Sequence, residues 1–427
     1  MSRRATNNLE IKEFSMDPCA IEFLPRTYNK TGAKGAEPEK RWLNLIVRSS
    51  GSKWHVKVTF RGTTQDTQNP NFSNRPKRRK DLENLCACID FQQISLLDDT
   101  VTELILTRWR LPCKEQPNAD SDFTSVAGGI WVHTWEDPLR VRYPLYRFGS
   151  SIPTKDISEI KEKEALDDGI GAVHNVRLYG DETVYIYKKE VGPPFYVPPD
   201  SEVLERELQN LVLLRDNSVG IVRLIAAVVS SNPYQTSELG EAGDPIVLRG
   251  FLLEYHPNGT LEDALRTPKL EMNGRWCRWA SQITTGLAQL HQCDLAHMDL
   301  KPSNVVISAD FDAVLIDVSG IGGVTREWLS PEMRDENEPL SRSIEARQQN
   351  DIWALGQMLS AMADACCSDD EERLLRSMAR YATRPPPRMS LSHIITALSE
   401  CLSEPSPNSS QAGKSGSNHL CALRLDE

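Results

Sequence analysis

The chain has 427 residues, a net charge of −11 and 39% hydrophobic residues, enough for two or three domains with cores of their own. No apolar run reaches bilayer-spanning length, and the opening MSRRATNNLEIKEF lacks the apolar stretch that directs secretion. An intracellular chain with no membrane partner is therefore expected, cytoplasmic first and nuclear second. The acidic balance argues against nucleic acid as a partner. The ten cysteines lack paired metal-ligand spacing, with Cys86 and Cys88 isolated from any second pair, and read as reduced core or surface thiols.

In chain order, residues 1–35 are polar and weakly patterned and read as a flexible arm. From 36 to 150, the stretches WLNLIVR, KWHVKVTFRG, VTELILTRWRL, GGIWVHTWED and VRYPLYRFG are short, rich in β-branched and aromatic residues, and separated by Gly, Pro, Asn or Asp. The SSGS break at 49–52 predicts a hairpin, and the whole stretch a small, mostly β module of unknown function that a protein partner can engage. The basic run Lys77, Arg78, Arg79, Lys80 reads as a solvated loop between strands, with a nuclear import signal as the competing reading. Residues 149–168 form a charged, partly helical connector, with the linker proper at 151–164. Strands followed by long helical patterns then run from 165 to 402. Within them 230–245 is a polar excursion between two strands, and 403–427, rich in Ser, Gly and Pro, reads as a disordered tail.

Moving the γ-phosphoryl group of ATP needs a hold on the phosphates, magnesium to neutralise them and a carboxylate to aim the acceptor hydroxyl. In GIGAVHNV, Gly169 and Gly171 let the backbone close over phosphates, and Val176 is placed to cover the adenine; His174 stands where a third glycine is usual. In the strand DETVYIYKKEV, Val184, Ile186 and Lys188 share one face, which aims Lys188 into an apolar nucleotide pocket, with Lys189 as the alternative. The following helix carries Leu204, Leu208, Leu211 and Leu214 at helical spacing, with Asp200 or Ser201 as its cap. Glu207, at the edge of that stripe, is the partner expected for Lys188, and Glu205 competes with it. The strand FLLEYH ends at Glu254, Tyr255 and His256, where backbone groups can bind the adenine edge, with Leu253 behind. In HMDLKPSN, Asp299 is placed to accept or orient the hydroxyl proton, Lys301 to neutralise the moving phosphoryl group, and Asn304 to bind magnesium. AVLIDVSG then ends a strand at Asp317, a carboxylate for the bridging magnesium.

These residues together resemble the eukaryotic protein kinase family over roughly 165–402. HMDLKPSN is similar to the family's H-R-D-L-K-P-x-N, DVS stands at the D-F-G position, and WLSPEM looks like the A-P-E element with Glu332. DIWALG matches D-x-W-x-x-G, and Arg388 looks like the late arginine that pairs with Glu332. The resemblance implies an α+β, two-lobed kinase-like fold with a β-rich N-lobe and a helical C-lobe, preceded by the β module. It also implies ATP and magnesium as cofactors and a protein as substrate. Asp299 would be the catalytic base, Lys301 the phosphate-neutralising lysine, Asn304 and Asp317 the metal ligands, and Lys188 with Glu207 the ion pair. Asp351 would hold the catalytic loop backbone. Lys301-Pro302 and Thr325 are the forms that go with Ser/Thr acceptors.

Two departures qualify the resemblance. Met298 replaces the arginine that in the family gathers a phosphorylated activation-loop residue, and between Asp317 and Glu332 the activation loop proper shrinks to little more than GIGGV. The two absences agree, and predict a kinase not switched by phosphorylation there but dependent on another input, for which the β module is the candidate. In DVS, Val318 is smaller than Phe, and Ser319 is less permissive than Gly, although Gly320 follows. A pseudokinase or scaffold is the competing function. A small-molecule kinase is disfavoured by Lys301-Pro302, SPE and DIWALG.

Overall fold

The computed structural model describes residues 19–31, 38–61, 75–108, 123–126, 130–149, 151–166, 171–215, 219–237, 245–266 and 275–403. The chain divides into two compact units, 1–208 with 224–254 and 209–223 with 255–427.

The first unit contains two sheets. The first is built from β1 (Ala20–Phe23), β2 (Asn29–Thr31), β3 (Lys40–Ser49) and β4 (Ser52–Arg61), then, after helix α1 (Arg75–Ala87), from β5 (Val101–Arg108), β6 (Phe123–Val126) and β7 (Ile130–Glu136). Its order is β1-β3-β4-β5-β7-β6, with β2 also paired to β3, and only β4 and β5 run parallel. Alternation in β3 and β4 sends Leu43, Leu45, Val47, Val56, Val58 and Phe60 to one face, where they pack with Leu104, Leu106 and with Leu82 and Cys86 of α1. Each such side chain contributes about 1.5–3 kcal/mol when fully buried. The β3–β4 hairpin turns through Ser50 and Gly51, both at positive φ, as a right-twisted two-residue turn requires.

Three expectations change in this region. Part of the arm drawn over 1–35 is strand: β1 and β2 pair with β3, and Ile21 and Phe23 pack against the core. The basic run is not a loop but α1, in which Arg78, Leu82 and Cys86 recur at i, i+4 and i+8 and are buried. The long arginine stem packs like an apolar side chain, which a reading by charge alone misses. Finally, VRYPLYRFG forms no strand and meets the second sheet through an isolated bridge from Leu145 to Val247 and through Tyr143, whose ring lies under Arg249.

The second sheet contains β8 (Thr154–Asp156), β9 (Ile160–Ala165), β10 (Val173–Leu178), β11 (Asp181–Lys189) and, after helix α2 (Pro199–Leu214), β12 (Leu224–Ser231) and β13 (Ile246–Glu254). Its order is β8-β12-β13-β11-β10-β9. The connector expected to be partly helical thus supplies both edge strands. Lys161 and Glu164 of β9 are exposed at this edge, where charge discourages further pairing, while Ile160 is buried in the sheet's core.

The polar excursion after β12 joins the two sheets within this unit. Thr236 exchanges hydrogen bonds with Asp99, at 2.8 and 2.9 Å, and the Tyr234 ring packs edge-on to His55. A second contact lies at the start of α2. The Arg142 amide donates to the Tyr196 hydroxyl (2.9 Å), and Ser201 Oγ donates to the Arg142 carbonyl (2.5 Å). The Tyr196 and Ser201 hydroxyls are 3.1 Å apart, so Tyr196 is left as donor to Ser201, closing a ring of three bonds.

The second unit is mainly helical: α3 (Leu261–Arg266), α4 (Trp276–Gln292), the short pair β14 (Val305–Ile307) and β15 (Ala313–Leu315), then α5 (Pro331–Arg334), α6 (Ile344–Ala365), α7 (Asp369–Ala382) and α8 (Leu391–Ser403). The first helix of this unit's core, α4, buries an apolar face that includes Trp276, Trp279, Ile283 and Leu287. Among the described residues no helix is long and apolar enough to cross a membrane. The described cysteines are free thiols, and burial pushes that of Cys86 up to about 12.

Candidate active site

Lys188 and Glu207 come from β11 and α2 of the first unit. Lys188 Nζ lies 2.6 Å from Glu207 Oε2, and the Glu207 side chain is 1% exposed. Lys189 projects to the opposite face of the strand by alternation. The neighbouring strand approaches Lys188 very closely: a Cβ at Gly250, whose φ is +134°, would lie 2.3 Å from the Lys188 carbonyl oxygen. Glycine at this position is a steric requirement.

The register of β10 on β11 corrects one assignment. Val176 pairs with Tyr185, and so shares its face with Tyr185 and Tyr187 rather than with Ile186 and Lys188. It is buried there with Ile160, Leu178 and Tyr187, in the core of the sheet. Val173, opposite Lys188, and Asn175, opposite Ile186, occupy the face on which Val176 was expected. The tight turn at Gly180, with φ +81°, shortens the hairpin, and counting back from Lys188 with that turn in mind would have found Val173. Gly169 lies outside the described residues. Gly171 has φ +73° and open space around its Cα, two residues before Val173. Glu254 closes β13 opposite Tyr185; His256 follows in the second unit. Both are partly buried.

In the second unit the loop after α4 builds a web around one carboxylate. Thr325 donates to Asp299 Oδ1 through its amide (3.0 Å) and its hydroxyl (2.7 Å). Asn304 Nδ2 donates to Asp299 Oδ2 at 3.0 Å, and Lys301 Nζ lies 2.8 Å from the same oxygen. Lys301 also donates to Thr325 Oγ1 at 2.8 Å, which closes the web. Beneath it, Asp351 of α6, fully buried, accepts from the amides of His297 (2.7 Å) and Met298 (2.8 Å) and lies 3.0 Å from His291 Nε2. These contacts hold Met298 at a φ of +65°, a conformation non-glycine residues adopt at a cost.

Asn304 spends its amide nitrogen on Asp299, which leaves its side-chain oxygen as an acceptor. The Ile316 amide donates to the Asn304 carbonyl at 3.1 Å, so Asp317, at φ +60°, follows directly beside it. An amide oxygen and a carboxylate placed together suit magnesium, which takes one or two protein oxygens and completes its shell with phosphate and water. Among the described residues no cluster of three or more His, Cys, Asp or Glu could hold a metal without such help.

The DVS turn is held differently from what its sequence suggests. Asn210 of α2, which sequence reasoning did not single out, donates to the carbonyls of Val318 (2.8 Å) and Ser319 (3.1 Å). Gly320, not Ser319, takes the positive φ of +70°, and a Cβ there would lie 2.5 Å from the Ala296 carbonyl oxygen. The glycine has in effect moved one place along. Met298 is 1% exposed and packs with Ala296, Leu329 and Met333, with Val324 alongside. Glu332 and Arg388 pair at 2.8 and 3.0 Å.

With this geometry in place the comparisons are specific. Residues 198–373 match a family described as protein kinase domain. Mitogen-activated protein kinase kinase kinase 17 of Arabidopsis thaliana is 31% identical over 29% of this chain and 34% of its own length. Mitogen-activated protein kinase kinase 7 of Arabidopsis thaliana is 25% identical over 52% of this chain and 71% of its own. Mitogen-activated protein kinase kinase kinase dlk-1 of Caenorhabditis briggsae is 24% identical over 51% of this chain and 24% of its own. The chain thus spans about a third of the first relative and about a quarter of the third. Family match and relatives agree with the two sets of residues described above, and show that the chain carries a protein kinase domain over residues 198–373.

Proposed function

We propose that the chain is an ATP- and magnesium-dependent serine/threonine protein kinase whose activity does not require phosphorylation of the segment after Asp317. The observation that carries this reading is the web at Asp299. A carboxylate held by Thr325, Asn304 and Lys301 has a fixed direction, and a base that must orient a hydroxyl and take its proton needs that. Asp299 accepts the acceptor hydroxyl's proton, and Lys301 offsets negative charge on the group in transit. Lys188, held by Glu207, binds the α- and β-phosphates. Asn304 and Asp317 supply oxygens for the metal. ATP and magnesium, when bound, provide the transferable phosphoryl group and neutralise its charge. The hydroxyl of Thr325 between Asp299 and Lys301 supports serine and threonine as acceptors, and the relatives named as kinases of protein kinases support a protein substrate.

Independence from activation-loop phosphorylation is supported by Met298. Its buried side chain gathers Val324, Leu329 and Met333 by apolar contact, where an arginine would need a phosphate to do so. The input we propose in place of phosphorylation is the β module, through the Arg142 contacts with Tyr196 and Ser201 at the start of the helix that carries Glu207.

The deciding experiment is transfer from radiolabelled ATP to a generic acceptor protein, by wild type and Asp299→Asn, each with and without prior phosphatase treatment. Transfer by wild type, unchanged by phosphatase and lost in the variant, is expected. If neither protein transfers phosphate while both bind nucleotide, the chain is a binding scaffold instead.

A further inference from the structure

The face of the first sheet opposite its core is neither bare nor covered by α1. Register aligns Asn44, Lys57, Glu103 and Trp135 in one cross-strand row, and Trp42, Thr59, Ile105 and His133 in the next. Between the β2 end and the turn at Pro138–Leu139 these rows enclose a cavity of about 310 Å³. Its floor is a satisfied polar network. Lys57 Nζ lies 2.8 Å from Asp137 Oδ1 and 3.3 Å from Glu103 Oε1. Glu103 also accepts from Thr59 (2.6 Å) and from the Trp135 indole (3.2 Å), which fixes the ring while leaving Trp135 45% exposed. Asp137 meanwhile accepts from the Leu139 amide at 3.1 Å, so the same carboxylate anchors the floor and shapes the turn that forms the wall. Burying three charges on the side of a sheet away from its core adds little to stability, but it does hold a binding surface rigid.

The rim indicates what that surface takes. Lys40 and Arg61 are direct cross-strand partners, both exposed, and among the described residues neither has an ionic partner. Like charges directly opposite one another destabilise a sheet unless an anion lies between them. Beside them stand apolar walls: Trp42, Ile105, Trp135 and Leu139, the last 58% exposed. A cavity of this size at the low end of small-molecule sites holds one bulky side chain, not a nucleotide.

We infer that this face of the β module is a docking site for an acidic segment of a partner protein. One aromatic or large aliphatic side chain of the segment enters between Trp42 and Trp135. Neighbouring carboxylates bridge Lys40 and Arg61, where the guanidinium donates two parallel bonds to one carboxylate. The site is independent of phosphoryl transfer.

Selection of the full chain, as its Asp299→Asn form, against a displayed peptide library with one fixed Phe and random flanks tests this directly. Enrichment of Asp and Glu in the flanks is expected. The enriched peptide, fluorescein-labelled, should bind at least tenfold more weakly to Lys40→Glu/Arg61→Glu and to Leu139→Ser, all exposed positions that leave the core intact. It should bind unchanged to Lys80→Glu, on the helix covering the other face. Flanks without acidic preference, binding that survives the charge reversal, or full displacement by inorganic phosphate at equal concentration would each overturn the proposal, the last in favour of a small-anion site.

Discussion

The two groups of residues assigned to phosphoryl transfer are built on opposite principles. In the first unit the ion pair of Lys188 and Glu207 joins a strand to a helix. In the second unit Asp299 has three side-chain partners, two of which, Lys301 and Thr325, also bond to one another. A single buried ion pair is fragile, because loss of either partner leaves an unsatisfied charge. A web tolerates the loss of one strand of support but depends on its central carboxylate for chemistry. The first group can therefore be tuned by moving α2, whereas the second works or fails with one atom group.

The largest effect expected is at the centre of the web. Asp299→Asn should lower kcat by about 10²- to 10⁴-fold, the range for loss of a positioned base, with nucleotide affinity and melting temperature nearly unchanged. A parallel fall in stability would show that the carboxylate is structural. Next is the Lys188–Glu207 pair. Glu207→Gln should destabilise the first unit by about 3 kcal/mol, as for a buried pair stripped of one partner. It should also raise the KM for ATP more than it lowers kcat. Equal changes in both would place the pair's role elsewhere.

Met298→Arg tests how the second unit does without a phosphate. A guanidinium forced among Leu329, Met333 and Val324 should cost about 2–3 kcal/mol, while Met298→Leu stays within about 1.5 kcal/mol. Thermal denaturation read by fluorescence separates them. A stable Met298→Arg variant would mean that the cluster does not hold the segment. A smaller effect is expected for Ser201→Ala, which should cost about 1–2 kcal/mol for the two hydrogen bonds its hydroxyl makes to Arg142 and Tyr196. Faster amide exchange in the first turns of α2 should accompany it, and exchange unchanged there would separate the β module from the helix.

The smallest effect depends on pH. Burial alone would raise the Glu332 carboxyl, but hydrogen bonds from Arg388 and Ser330 outweigh it and hold the group below its ordinary value. A depressed carboxylate contributes stability fully above the unfolded value of about 4.3 and loses it as pH falls through the folded one. The melting-temperature gap between wild type and Glu332→Gln should therefore be constant at neutral pH and close below about pH 4. A gap that persists into acid would assign the effect to packing.

Most of the web was legible because it is local. Asp299, Lys301 and Asn304 lie within one loop, and Asp317 is returned to them by a short hairpin, so spacing along the chain stands in for distance. Lys188 was legible by alternation once a strand was assumed. Val176 was not, because its face depends on how many residues the Gly180 turn consumes, and a change of one residue exchanges the faces. The helix at 75–87 and the edge strands at 154–156 and 160–165 were misread for a related reason: their charges are real, but neighbours supply the burial of Arg78 and Ile160.

By itself, then, the sequence determined the order and spacing of the charged groups and the family to which they point, since both are properties of the chain read in one dimension. Tertiary structure alone decided which face each strand residue occupies, where the glycine of the DVS turn works, and what surrounds Met298. Those depend on pairing register and on packing between segments far apart in the chain. Met298 illustrates the difference. In the sequence it is a missing arginine, and in the fold it is an apolar anchor, because only the packed neighbours reveal what a buried side chain is for.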